Sequence, residues 1–420
     1  MRGHAAIIGA GIVGAATALA LRREGWDVTL IDPGEPGGEQ AASYGNGAWL
    51  SPQSVIPPAM PGTWKKVPGF LRDPLGPLAI RWGYLPRVAP WLLRYLWAGW
   101  TEAKVLRTAR ALKPLLDGAP ALHQALAEEA GVPELIHRTG LMYIYPSRAA
   151  FEAEAMAWRI RAEVGLAWRE VGEEELRQRE PTLDRRYTFG ILAEQGGHCA
   201  DPGAYVAALV ALAEREGVRR ARSAATGFRV EGGRLRAVTT QGGEIAADRA
   251  VIAAGAHSRV LAAAAGSRVP LQTERGYHAV IANPETGPRI PLMPSDGKMA
   301  ITMTRAGLRV AGQVEIAALD AAPNWKRAEI LRDHLLRCFP GLPRDLPAER
   351  VKVWMGNRPS MPDGLPCIGP ARNSGDIVLA FGHGHVGLVA GPRTAALVAA
   401  LLAGRRPDIA LEPYDPRRFD

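Results

Sequence analysis

Short apolar runs closed by glycine mark both ends of the chain, and helical and alternating patterns fill the middle. Residues 5–8 (Ala5, Ala6, Ile7, Ile8) are apolar throughout, as a buried strand would be. Gly9, Gly11 and Gly14 follow in G-x-G-x-x-G spacing, with Ile12 and Val13 inside the motif. A helical stretch covers 15–23, Gly25 stands where that helix would end, and a second apolar run at 28–31 stops at Asp32. The order is strand, tight turn, helix, strand, acid. It is the dinucleotide-binding pattern, with the acid about 20 residues past the turn. Gly9 permits the turn, Gly11 admits a pyrophosphate, Gly14 lets the helix lie close on the strands, and Asp32 would accept hydrogen bonds from a ribose. A leader-peptide reading of the same stretch leaves the glycine spacing and Asp32 unexplained.

A Gly, Pro and Ser-rich loop is expected up to Gly62, and in it Gly45 and Gly47 bracket Asn46. Residues 63–131 read as helical, broken at Pro68, Pro74, Pro77, Pro86 and Pro90 and then running long from Thr101 to Gly131. Strands are expected at 141–145 and 189–194, with a helix over 148–165. Asp201 and Pro202 cap a helix reaching Gly217. Further strands are expected at 226–230, 235–239 and 250–255, the last closed by Gly255, then at 276–282, 299–304 and 308–312. A helix over 324–339 and a strand over 351–356 lead to Arg358. Residues 377–381 form a strand, 382–387 a glycine-rich turn with His383 and His385, and Pro392 opens a helix to Leu402. This second strand–glycine–helix device implies a large cofactor held at both ends, meaning FAD. The helix N-terminus would stabilise the negative charge of a reduced flavin.

Composition narrows the partners. At 420 residues the chain is long enough for two domains, and 47% hydrophobic with 22% charged residues is ordinary for a globular protein. Cys199, Cys338 and Cys367 form neither a C-x-x-C nor a disulfide framework, which fits a reducing cytoplasm. The net charge of +9 comes from scattered arginines, which argues against nucleic acid and for anionic substrates or an anionic membrane surface. Residues 82–100 interleave Trp82, Tyr84, Trp91, Tyr95, Trp97 and Trp100 with Arg87 and Arg94. The leading reading is packing inside a helical subdomain. The alternative is a peripheral, interfacial membrane contact.

Arg358 is the candidate carboxylate clamp, since a guanidinium binds a carboxylate bidentately. His383 and His385 lack acidic or thiol neighbours in sequence, so flavin-edge contact outranks metal ligation and no metal is expected. No nucleophilic triad stands out, and no side chain is assigned as acid or base.

At this point the chain resembles the D-amino-acid oxidase-like FAD oxidoreductases. Within them it is similar to bacterial D-amino acid dehydrogenases and hydroxyproline dehydrogenases. The matching stretches are 9–32, 42–47, 251–258, 309–315, 354–369 and 382–387. The resemblance implies an α/β fold, α+β overall: a Rossmann-like FAD-binding domain (1–55, 200–268, 350–420) interleaved with a substrate domain (56–199, 269–349) built on a mixed or antiparallel sheet plus helices. It implies that Ser43, Asn46 and Gly47 lie along the FAD and that Ala225 presents backbone to the adenine. It further implies that Arg358 binds the substrate carboxylate, Tyr277 lines the substrate pocket, and Gly382, His383, Gly384, His385, Val386 and Gly387 face the flavin ring. His385 stands where many D-amino acid dehydrogenases carry threonine, and hydroxyproline enzymes resemble this sequence more there. No cysteine or histidine offers an obvious covalent flavin link, so FAD is expected to be non-covalent. The implied activity is oxidative deamination of a small amino or imino acid, with electrons passing to a quinone or dye-type acceptor. An oxidase using oxygen and a non-catalytic dinucleotide-binding regulator are the rivals.

Overall fold

The computed structural model of the protein describes residues 2–73, 75–76 and 78–420. A six-stranded sheet carries both glycine devices. Its order runs Arg219–Ala221, Asp27–Ile31, His4–Ile8, Arg249–Ile252, Ile377–Phe381, Cys367–Pro370, parallel except for the last pair. Both faces of this sheet are covered, which explains its uninterrupted apolar runs. Ala5 and Ile7 enter one core with the helices Ile12–Arg23, Pro202–Arg215 and Gly387–Leu402. Ala6 and Ile8 enter another on the opposite face, which also holds Leu235 and Val238 of an antiparallel three-stranded sheet.

The second layer is a nine-stranded mixed sheet. Val351–Ser360, Gln272–Ile281, Gly307–Ile316 and Ala300–Thr304 pair antiparallel in sequence across it, followed by shorter strands from residues 141–193 and 292–294. All ten residues of Gln272–Ile281 are buried.

Several expectations need correction. Arg358 lies within the strand Val351–Ser360, not after it, and that strand belongs wholly to the large sheet. The expected boundary at 350 is therefore wrong by this strand. The helices Glu102–Leu116 and Ala119–Ala130, expected in the substrate domain, bury Val105, Leu112 and Ala127 in the core of the six-stranded sheet. They are two helices because Gly118 turns left-handed (φ 65°) between them. The loop before Gly62 contains a short strand, Trp49–Leu50, and the stretch read as wholly helical contains the strand Leu78–Ile80. Pro68 and Pro90 sit inside helices, while Pro74 and Pro77 lie outside the described residues. Packing of the tryptophans holds only for Trp91 beside Tyr95. Trp82 and Trp97 are 63% and 64% exposed, and Trp64 stacks on Trp100 at the surface.

Pro392 is also inside its helix, which starts at Gly387. Proline lacks the N–H that would bond the carbonyl four residues back. That carbonyl, of Leu388, instead accepts from Nε2 of His123 at 2.9 Å, and Nδ1 of His123 pairs with the Tyr205 hydroxyl at 2.9 Å. A carbonyl can only accept, so the neutral Nε2–H tautomer is fixed.

Burial pushes His123 down from 6.5 to about 4. Its folded value lies below its unfolded one, so the unfolded chain binds more protons between them. The stability His123 contributes is complete above pH 6.5 and is lost as pH falls to about 4. Denaturant midpoints should therefore drop between about pH 7.5 and about pH 5. His123→Gln should cost about 1–2 kcal/mol at neutral pH and show a smaller acid-induced drop. An equal drop in both proteins would remove His123 as a source of acid sensitivity.

Candidate functional site

The first glycine device closes by sterics. Gly9 is left-handed (φ 107°), and a Cβ there would lie 2.4 Å from the Ala253 carbonyl oxygen. A Cβ on Gly14 would lie 1.7 Å from the Gly9 carbonyl oxygen. Gly11 differs, since a Cβ there would meet only the Ser43 hydroxyl, at 3.5 Å. The space above Gly11 is open, and the first N–H groups of the helix Ile12–Arg23 face it without intrahelical partners. Ser43 Oγ accepts from the Ile12 N–H at 3.2 Å. Asp32 does local work as well: its oxygens accept from the N–H groups of Ala10 (2.7 Å) and Gly34 (2.8 Å), pinning the turn.

From this turn a cavity of about 1670 Å³ runs between the two large sheets. It exceeds the roughly 300–1,000 Å³ of ordinary small-ligand pockets, so it has room for a dinucleotide and a further small molecule. Asp32 and Ala225 line one end. Gly9, Gly11, Ile12, Val13, Ser43, Asn46, Gly47 and Gly255 line its length. His383, Gly384, His385 and Gly387 line the other end, with Arg358. Because the helix Gly387–Leu402 starts at the turn itself, its N-terminus opens into this cavity, five residues earlier than the proline signalled.

Four expected residues are not on the wall. Gly14 packs against Gly9. Gly382 and Val386 line a small hollow behind the turn. Tyr277 does not reach the cavity at all. Its hydroxyl donates to Glu315 at 2.6 Å on the far face of the sheet, where Arg275 also pairs with Glu315 at 3.0 Å. Gly45 serves packing: a Cβ there would lie 2.2 Å from the Trp354 ring.

Arg358 is set by its neighbours. Its guanidinium lies over Gly276, where a Cβ would come within 2.3 Å of it. Nη1 donates to the Gln313 carbonyl at 2.9 Å, and Nη2 lies 3.5 Å from that of Gly312. Gln313 is left-handed (φ 61°) at a register shift between the strands, and Arg327 holds its side-chain oxygen at 2.6 Å. Burial lowers the pKa of Arg358, against the opposing pull of Glu274. His385 exposes its ring to the cavity, and burial, with Arg358 next to it, pushes it down to about 4. His383 Nε2 pairs with Thr394 Oγ1 at 2.9 Å, and burial holds it at about 4.

Sequence reading missed Glu274, Gln313, Arg161 and the wall tyrosines Tyr84, Tyr95, Tyr143 and Tyr145. For Glu274 one signal existed: Glu274 and Arg275 are adjacent charges inside an apolar strand pattern, which period-two alternation sends to opposite faces.

A parallel sheet with a glycine turn and a helix N-terminus at its carboxyl edge, closed by a second sheet over a large cavity, defines a dinucleotide-dependent oxidoreductase. The open cradle at Gly11 and the second helix N-terminus at the far end of the cavity fit FAD. The FAD dependent oxidoreductase family matches residues 4–401, and the chain belongs to it. It is 63% identical over 416 residues to a D-amino-acid oxidase of Bradyrhizobium diazoefficiens, covering 99% of each chain. It is 30% identical to a D-amino acid dehydrogenase of Paramagnetospirillum magneticum, covering 98% of each. Among solved structures it is similar to glycine oxidase from Geobacillus kaustophilus (TM-score 0.72, 20% identity, 98% of each chain). It is similar also to L-proline dehydrogenase from P. horikoshii (TM-score 0.73, 20% identity, 99% and 97%). The protein is an FAD-dependent oxidoreductase with the fold expected from its sequence.

Gly11→Val should fold with a near-normal denaturant midpoint but purify without flavin, because its side chain fills the cradle and little else. Gly14→Ala should instead be destabilised, because its Cβ collides with backbone. Equal flavin content in Gly11→Val and the parent would disprove the cradle.

Proposed function

We propose that the protein oxidises a small D-amino or imino acid to the corresponding imino acid, which then hydrolyses in water. The observation that carries this reading is Arg358, a guanidinium on the cavity wall whose hydrogen bonds among the described residues go to the Gln313 and Gly312 carbonyls. The rest of its fork is available to a substrate carboxylate. Arg275 and Arg305 are poor rivals. Arg275 is buried in its pair with Glu315, and Arg305 pairs at the surface with Glu134. FAD, when bound, supplies a two-electron acceptor for the hydride on the substrate α-carbon. Gly11, Ser43, Asn46, Gly47, Asp32 and Ala225 would hold it, with the part built on the six-stranded sheet carrying FAD and the large sheet carrying substrate. Non-covalent binding is supported by the three cysteines, which are buried away from the cavity wall. Positioning by Arg358 and by the turn at 382–387 does much of the catalytic work.

The electron acceptor has two readings. A quinone or dye-type acceptor is supported by the exposed Trp82, Trp97 and Trp100, which lie among Arg87, Arg94 and Lys104 and would suit peripheral contact with the inner face of a membrane. No described helix is long and apolar enough to cross a membrane. Oxygen is supported by the name of the 63% identical relative. Peroxide formed at the rate of dye reduction would select oxygen. A hydroxyproline-type substrate rests on the resemblance around His385.

Arg358→Ala should lower kcat/KM on amino acids by about ten- to several-hundred-fold and leave flavin content near normal. Arg358→Lys should recover only part of it. The loss should shrink on an amine lacking a carboxylate. Equal losses on both substrates would reassign Arg358 to the fold or the flavin.

A further inference from the structure

Glu274 and Arg358 occupy directly opposite positions on neighbouring antiparallel strands. Such residues project from the same face with Cβ atoms about 4.5–5.5 Å apart. An acid and a base so placed would ordinarily pair with each other, but each is turned elsewhere. Arg358 donates to the Gln313 carbonyl, and Glu274 Oε2 accepts from Ser360 Oγ at 2.6 Å. Glu274 is only 6% exposed, and it lines the cavity. Its other oxygen takes no hydrogen bond from any described residue. A buried carboxylate with an open oxygen is costly unless something cationic completes it. Its sequence neighbour Arg275 cannot do so, because it faces the other side of the sheet and pairs with Glu315.

We propose that Glu274 receives the ammonium group of the substrate beside Arg358 and takes one proton from it before the α-C–H bond breaks. The inference rests on the reading of Arg358 as carboxylate clamp. An α-amino acid carries its anion and its cation on adjacent atoms, and the strand pair offers a cation and an anion side by side. The proton transfer is a chemical requirement. An ammonium nitrogen has no lone pair to stabilise the positive charge that develops at the α-carbon as hydride leaves. In the transfer an N–H bond breaks, its electron pair stays on nitrogen, and an O–H bond forms on Glu274. Nothing is oxidised or reduced in that step.

The groups facing Glu274 suit this role. Ser360, on the strand of Arg358, donates to it, and Tyr95 approaches from the helix Leu85–Ala98. His383 and His385 come from the turn behind, and both stay neutral well below physiological pH. Burial raises the proton affinity of Glu274, against the opposing pull of the Ser360 hydrogen bond and of the Arg358 charge. One ring nitrogen of His383, Nε2, is already engaged with Thr394 Oγ1.

The test compares Glu274→Gln and Glu274→Asp with the parent as flavin-loaded enzymes. Anaerobic flavin reduction by an amino acid should be nearly independent of pH in the parent across neutral and mildly alkaline pH. In Glu274→Gln it should fall about tenfold for each pH unit below the amine pKa, because only pre-neutralised amine reacts. Glu274→Asp should restore the flat profile at a lower rate. Binding of 2-aminoisobutyrate, which has no α-hydrogen to lose, gives a second readout by calorimetry in two buffers. The parent should bind it without releasing a proton to solvent, and Glu274→Gln should release close to one or bind at least tenfold more weakly. A uniform loss at every pH in Glu274→Gln, or identical proton release in both proteins, overturns the proposal. An amine without a carboxylate separates the two readings. It should retain the Glu274 pH signature even where Arg358→Ala has no effect. Loss of that signature with the clamp intact would sink Glu274 alone.

Discussion

The site depends on one short junction between the two sheets. The Gly384 N–H donates to the Pro359 carbonyl at 2.7 Å, and Ser360 and His383 form an isolated antiparallel bridge beside it. Pro359 and Ser360 end the strand that carries Arg358, and Gly384 sits in the turn that feeds the helix Gly387–Leu402. The strand of Arg358 and the glycine-rich turn are thereby fixed to each other through two residues of backbone. Gly384 needs its left-handed conformation (φ 54°) to make this contact. Reaction geometry tolerates little displacement, so a direct backbone link between the two halves is worth more than contacts spread over a domain interface.

Further support reaches the same helix from a distance. Pro392 frees the Leu388 carbonyl near the helix start, and His123, from the helix Ala119–Ala130, occupies it. The helix therefore keeps its N-terminus at the cavity without losing a buried acceptor. This contact also ties the helix Ala119–Ala130 to the dinucleotide core, although the helix lies in a stretch otherwise built for the large sheet.

What could be read from sequence was local. The glycine devices, Asp32, the capped helix Pro202–Arg215 and Arg358 announce themselves within a few residues, because sterics and capping act over that range. What could not be read depends on pairing between distant segments. Tyr277 belongs to the right strand but faces Glu315, and one residue of register decides which face a strand side chain takes. Glu274 acquires meaning only once it is opposite Arg358. Pro68, Pro90 and Pro392 misled as well, since helices continue through them, at Pro392 with His123 as the tertiary partner of the freed carbonyl. The exposed tryptophans show the converse. Their aromatic spacing was visible, but whether each faces core or solvent is set by how the helix Leu85–Ala98 sits on its neighbours.

The strain at Gln313 follows from the same geometry. A glutamine at φ 61° is disfavoured by about 1–3 kcal/mol unless its surroundings hold it there. Arg327, itself fully buried, supplies that hold through the side-chain oxygen. The turned backbone directs the Gln313 carbonyl at one arm of the Arg358 fork. That contact fixes the guanidinium plane and leaves its remaining donors facing one way. A flexible arginine could follow a carboxylate presented from many directions, whereas this one is held to a single approach. With Glu274 opposite it on the neighbouring strand, the proposed pair would admit an amino acid only with its carboxylate at Arg358 and its nitrogen at Glu274. Stereochemical preference would then follow from the backbone strain at Gln313 that sets the plane of Arg358.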